Sequence, residues 1–382
     1  MIKRIPLALY VHIPWCERKC PYCDFNSHEN FDPELEKPYV DALLNDLDQQ
    51  LSWAGDRELV SVFFGGGTPS LFSGAAIRRI VEGIKRRLPL AENCEVTLES
   101  NPGSAEAKKY DAYRHTGINR LSIGVQSFKA RHLSRLGRIH SGNEAIAAIE
   151  LARSAGFDRL NIDLMYGLPD QTIEDGLDDL ATGIEHGIDH FSWYQLTIER
   201  NTAFWSAPPL LPTDDLIEPM QKRAEALLNS AGVAQYEVSA WSASGQRSLH
   251  NLNYWQFGDY LAIGAGAHGK VTDATGVYRF QRTRHPKHYL EQFAKPVAAP
   301  FASQLRTVEP SELPAEFMMN ALRLKEGVSS ALFEERTALA LKSVSRQLEE
   351  QRRRGLMALD TSKLAATNKG YQYLDTLIEA FV

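Results

Sequence analysis

From Tyr10 to Ile198 short apolar runs alternate with helical patterns six times, and that alternation restricts the fold more than any other feature of the chain. Tyr10–Pro14, Val60–Phe64, Glu95–Glu99, Arg120–Gln126, Arg159–Met165 and His190–Ile198 read as strands. Between them lie helical stretches. The first runs from about Pro33 to Trp53, with Leu43, Leu44, Leu47 and Leu51 at helical spacing. The others run from near Ser73 to near Leu88, up to about Gly117, near Leu133, from Asn143 to Gly156, and up to Gly187. Such a series predicts right-handed βα units and a parallel sheet or open barrel of the α/β class. Six units fall short of the eight that close a (β/α)8 barrel. In folds of this kind chemistry gathers at the carboxyl ends of the strands. Cys16–Cys23, Gly65–Thr68, Glu99, Gln126 and Asp163 all lie at or just past those ends, so one cavity can collect them.

Three of the four cysteines, Cys16, Cys20 and Cys23, sit within eight residues on the loop after the first strand. Thiolates packed that closely converge on one metal centre, and cysteine sulfur favours zinc or iron–sulfur clusters over hard cations. A structural zinc site closes its tetrahedron with four protein ligands, and no fourth Cys or His follows at finger spacing. A [4Fe–4S] cluster on three cysteines would leave one iron open to an exogenous ligand. The competing readings are a disulfide plus a spare thiol, or chance clustering; nothing else in the chain looks secreted. The C-x3-C-x2-C pattern resembles the radical S-adenosylmethionine (SAM) superfamily. That resemblance implies a partial (β/α)6 barrel, in keeping with the strand count, and chelation of the open iron by the amino and carboxylate groups of SAM.

Beside such a loop, Gly65-Gly66-Gly67-Thr68-Pro69 would let the backbone approach the methionine end of SAM; a tight strand-to-helix turn is its plainer reading. Glu99, Gln126 and Asp163 are polar residues at otherwise apolar strand ends. Buried polar groups need partners, which a ribose, an adenine or a sulfonium would supply, as would water at a barrel mouth. Arg138 would face a carboxylate or stand solvated at a helix end. Cys94 lies far from the triad and reads as a small core or surface residue.

Tyr10–Pro14, Gly65–Ser70, Leu98–Gly103, Ser122–Phe128, Leu136–His140 and Asn161–Thr172 together resemble the HemN/HemW group of the superfamily, across nearly the whole chain. The family positions for SAM fall on Tyr10, Tyr22, Gly66, Gly67, Thr68, Glu99, Gln126, Arg138 and Asp163. The group's oxygen-independent coproporphyrinogen III oxidases carry a fourth cysteine two residues after the third; here that residue is Phe25. They also have an N-terminal extension, whereas Tyr10 stands almost at the start. Further on, His250-Asn251-Leu-Asn-Tyr254-Trp255 resembles the signature of the group's haem chaperones, which bind haem and pass it to acceptor proteins. A neutral imidazole ligates haem iron, and Tyr254 and Trp255 offer flat apolar faces. Without the resemblance, His250 reads as a hydrogen-bonded structural histidine, and His268 keeps that reading.

The expected organisation is a SAM-binding barrel over 1–235, an extension and connector with the His-Asn-x-x-Tyr-Trp motif over 236–310, and a largely helical, winged-helix-like domain over 311–382. Residues 283–313 read as an irregular connector, and the chain closes on an amphipathic helix. A winged helix raises the question of DNA, yet from Ser311 to Val382 ten Lys and Arg balance ten Asp and Glu. With a net charge of −6 overall, a broad nucleic-acid surface is not expected. No apolar run approaches the ~20 residues needed to span a bilayer, and Pro6, His12 and Pro14 break the only leader-like stretch. The resemblance therefore implies a haem chaperone with a [4Fe–4S] cluster, SAM and haem as bound groups, and the reduced thiols add the expectation of a cytoplasmic location. Its partners would be acceptor haemoproteins, respiratory membrane-associated ones among them; the alternative is the coproporphyrinogen III oxidase reaction.

Overall fold

The computed structural model describes residues 5–294 and 304–382. All six expected strands form: β1 (Leu7–Ile13), β2 (Leu59–Gly66), β3 (Leu90–Ser100), β4 (Arg120–Gln126), β5 (Arg159–Tyr166) and β6 (His190–Gln195). Each pairs parallel with the next, in sequence order. β4 is buried along its whole length, the expected state of a central parallel strand covered on both faces. The crossovers are helices with sequence-encoded starts. Ser73 accepts from the Ala76 amide at the head of Gly74–Lys85, and Ser141 with Glu144 and Thr172 with Asp175 form capping boxes for Gly142–Ser154 and Ile173–Glu185.

The sheet extends beyond those six strands on both sides. β7 (Ala234–Glu237) and β8 (Ala240–Ser242) add antiparallel strands next to β6. On the other side β9 (Asp259–Ile263) pairs parallel with β1, and β10 (His268–Asp273), β11 (Gly276–Gln281) and β12 (Gln304–Thr307) continue antiparallel. The order β12-β11-β10-β9-β1-β2-β3-β4-β5-β6-β8-β7 leaves the barrel open and puts β1 inside the sheet.

A buried ion network fixes β9. Asp259, wholly inaccessible, accepts from Lys270 Nζ and from Arg57 Nη1, each at 2.8 Å. The ammonium also lies 4.3 Å from the centre of the Phe257 ring.

The stretch expected to be an irregular connector instead holds the helix Pro286–Phe293 and β12, while residues 295–303 lie outside the described part. Pro286 occupies the first turn of that helix, where a missing N–H costs nothing, and His285 caps it. The C-terminal part is largely helical. Val328–Ser329 pairs antiparallel with Lys363–Leu364, and Met357 bridges Ala366 to form the wing. Its closing helix is divided into Asn368–Gln372 and Leu374–Glu379. The core of this part is shared: Phe257 and Val277, from the strand extension, pack with Phe317, Phe333, Leu348 and Leu377.

Candidate functional site

The cysteine loop leaves β1 through Pro14 and Trp15. Trp15 is sunk into an aromatic cluster with Phe31, Tyr39 and Phe72, which anchors the start of the loop. Its base is pinched by two backbone bonds, Cys16 N–H to the His28 carbonyl at 2.9 Å and His28 N–H to the Pro14 carbonyl at 2.7 Å. Within it the Cys23 amide donates to the Cys20 carbonyl at 3.1 Å, turning the chain so that all three thiols line one cavity of about 390 Å³. That cavity opens at the carboxyl ends of the strands. Gly66, Gly67, Thr68, Glu99, Gln126, Arg138, Asp163 and Tyr22 complete much of its wall.

A chain of polar contacts runs beneath the loop. Arg138 Nη1 lies 3.7 Å from Cys20 Sγ, and Nη2 donates to Asn101 Oδ1 at 2.7 Å; Asn101 Nδ2 donates to Thr68 Oγ1 at 3.0 Å, whose hydroxyl donates to Cys16 Sγ at 3.5 Å. Sequence reasoning found Arg138 and Thr68 but passed over Asn101, although it lies inside the quoted Leu98–Gly103 run. Tyr194 was also missed: its hydroxyl donates to Gln126 Oε1 at 2.7 Å, and nothing local marks it. Gln126 itself has φ +66, a left-handed conformation in a non-glycine residue held at the end of β4.

Three features show that these residues fit a cluster with a bound cationic ligand. First, the donor set is three thiols, and Phe25, 60% exposed, stands where a fourth would be. Burial pushes the Cys16 and Cys23 thiols up, a cost that iron would reverse by binding thiolate. Second, two buried carboxyl groups, Glu99 and Asp163, make no ion pair among the described residues, although the charge of Arg120 acts on Asp163. Burial and then the charge of Asp163 push Glu99 up to about 8, against one Gly66 N–H at 3.2 Å. Asp163 is raised chiefly by burial, while Asn161 Nδ2 donates to it at 2.8 Å. Third, Gly66 and Gly67 present bare backbone on the cavity wall, where close packing against β1 and the cysteine loop leaves no room for a side chain. A Cβ on Gly66, at φ +116, would come within 2.6 Å of the His12 ring, and one on Gly67 within 2.4 Å of the Trp15 carbonyl oxygen. Arg138 Nε is buried beside this space without a hydrogen-bond partner among the described residues.

Residues 10–181 match the radical SAM superfamily, and residues 308–373 match the HemN C-terminal domain. Over its full length the chain is 45% identical to the heme chaperone HemW of Escherichia coli strain K12, with 100% of both chains covered. The chain belongs to the HemW family. It is also 45% identical to the heme chaperone HemW of Haemophilus influenzae, covering 100% of this chain and 99% of that one. In three dimensions it resembles the Escherichia coli coproporphyrinogen III oxidase HemN, described as a radical SAM enzyme. The TM-score is 0.83 over 99% of this chain and 90% of that one; at 22% identity this establishes the radical SAM fold.

This HemW-family chain divides its His-Asn-x-x-Tyr-Trp motif between two environments, because the motif forms the helix Leu249–Trp255. His250 and Tyr254, one turn apart, face β1 and β2; Asn251 and Trp255 occupy the neighbouring face. His250 is 2% exposed and stacks on Phe63 at 4.8 Å. Its Nδ1 lies 2.9 Å from Ser61 Oγ and its Nε2 2.9 Å from Tyr254 Oη, and burial lowers its pKa to about 3. Tyr254 reaches a second cavity, on the β9 side of β1, together with Tyr10. Asn251 is half-buried, its amide donating to Ser248 Oγ at 3.3 Å. Trp255 packs against the C-terminal core, with the Arg323 guanidinium 4.3 Å over its ring. Cys94 is buried, with its thiol pushed up to about 12.

Proposed function

We propose that this chain is a haem chaperone that binds haem and passes it to acceptor haemoproteins, built around a [4Fe–4S] cluster with bound SAM. The observation that carries the reading is the cavity itself: three thiols without a fourth, opposite bare backbone at Gly66 and Gly67 and two buried carboxyl groups that make no ion pair among the described residues. Cys16, Cys20 and Cys23 hold the cluster, which when bound supplies a one-electron donor and an open coordination position for SAM.

The chain's own groups do the rest. Backbone at Gly66 and Gly67, with Thr68, approaches the methionine end. Arg138, whose Nε is free to donate, takes its carboxylate. Glu99 gives up its proton to face positive charge, Asp163 faces ribose hydroxyls, and Gln126 offers its amide. Tyr22 closes the wall beside Cys20, and Tyr10 supports His12 through a 3.0 Å contact. Phe25 in place of a fourth cysteine favours haem handling over the coproporphyrinogen III oxidase reaction. A cytoplasmic location fits free thiols at a cluster site, and among the described residues no helix is long and apolar enough to cross a membrane.

The test is anaerobic reconstitution followed by exposure to haem in one vessel and to coproporphyrinogen III with SAM and reductant in another. Stable haem uptake without decarboxylation is the expected result, and Cys16→Ala, Cys20→Ala and Cys23→Ala should each abolish iron–sulfur absorbance. Retention of the cluster by all three variants, or formation of protoporphyrinogen, would overturn the reading.

A further inference from the structure

The second cavity, also about 390 Å³, shares Phe25 and Glu99 with the cysteine cavity across the end of β1. Tyr254, Tyr260, His268 and Arg284 line its outer part. Tyr254 and Tyr260 meet edge-on at 4.5 Å, so with the exposed Phe25 the walls offer aromatic surface in more than one plane.

Three imidazoles stand in or next to this space, and their hydrogen bonds separate them. His12 is 5% exposed, with Nδ1 3.0 Å from Tyr10 Oη and Nε2 2.9 Å from the Asn26 carbonyl. His250 is held just as fully by Ser61 and Tyr254. Freeing either ring for iron would strand a buried hydrogen-bonding group, at about 1–3 kcal/mol each. His268, in contrast, is exposed at the first position of β10, and its ring makes no hydrogen bond among the described residues. Partial burial of the ring, and then the positive charges of Arg284 and Arg279 beside it, lower its pKa, in the direction of the neutral form that ligates iron.

The position of His268 is built rather than incidental. The preceding turn is pressed against the cysteine loop: Gly266 has φ +84, and a Cβ there would lie 2.2 Å from Asn26 Nδ2. That same Nδ2 donates to the Ala265 and Arg284 carbonyls, both at 2.9 Å, which brings Arg284 to the same rim. Arg279 is committed to Tyr260, at 2.6 Å, and to Glu316, whereas the Arg284 guanidinium makes no ion pair among the described residues.

We propose that haem is ligated by His268, with Arg284 pairing a propionate and Phe25 and Tyr254 against the macrocycle, while His250 serves to hold Tyr254 in place. The assignment rests on the haem-chaperone reading and gives it a site. An imidazole without a hydrogen bond and a guanidinium without an ion pair, both among the described residues, together with aromatic faces are the three contacts that an iron porphyrin dicarboxylate asks for.

The experiment is a titration of the full chain with haem, following the Soret band and the affinity, with Tm measured for every variant. The expected result is that His268→Ala loses the imidazole-type Soret position and weakens binding at least about tenfold. Added imidazole should restore the spectrum. Arg284→Ala should weaken binding severalfold with the band unmoved, and His250→Gln, which loosens Tyr254, should weaken binding less than His268→Ala does while the imidazole-type Soret position stays. An unchanged spectrum and affinity in His268→Ala would overturn the assignment, as would loss of the spectrum in a His250→Gln variant of wild-type Tm. Failure of the unmodified chain to take up haem would instead overturn the chaperone reading, and this site with it.

Discussion

Glu99 shows how much one side chain can report about an enclosed site. Its carboxyl is pushed from 4.5 up to about 8, so the folded chain keeps a proton that the unfolded chain has released. The linkage therefore runs against alkali: the protonated acid is tolerated at low pH, and stability is lost as pH rises through about 8. Glu99→Gln should flatten the fall in Tm between about pH 5 and pH 9, leaving the contribution of Asp163. A slope identical to wild type would show that Glu99 is not the group responsible. Legibility in the sequence was uneven at this scale. The three cysteines could be found because they lie within one short loop, and Phe25 stood out against a family pattern. Asn101 could have been found by asking what a polar residue ahead of Pro102 was doing. The internal bonds of His250 could not, since Ser61 is 189 residues away and nothing near the motif announces it.

Among the elements, β1 to β6 were readable from alternation alone, since parallel strands covered on both faces produce near-continuous apolar runs. β9 was not. It pairs with β1 across some 250 residues of chain, opposite Leu7 at Asp259, and a charged residue at its head hides a buried strand from any pattern of hydrophobicity. What makes Asp259 tolerable is Lys270 and Arg57, which converge on it from β10 and from the loop before β2. Removing the carboxylate leaves a buried ammonium without a counter-charge, so Asp259→Ala should cost about 3–5 kcal/mol. Denaturant unfolding would measure it. A loss below about 1 kcal/mol would mean that β9 is held by its backbone ladder and not by the ion network.

At the scale of the whole molecule, the described residues form an open sheet of twelve strands, with one cavity on each side of the carboxyl end of β1. The family match and the winged-helix-like ending were legible in advance. The sharing of one core between the strand extension and the C-terminal helices was not, because Phe257 and Val277 look like ordinary apolar residues until they are seen against Phe317 and Phe333. The Asn26 clasp has a kinetic counterpart. Segments tied through one amide group cannot open independently, so the cysteine loop and the segment from Gly266 to Arg284 form a single cooperative unit in hydrogen exchange. The Gly266 amide, bonded to the Thr283 carbonyl at 2.9 Å, and the Arg282 amide, bonded to Ala267 at 2.8 Å, should then exchange at the rate of the Cys16 amide. In Asn26→Ala both should exchange about tenfold faster and cease to follow it, so two loops distant in sequence would keep a common clock only while that side chain is present.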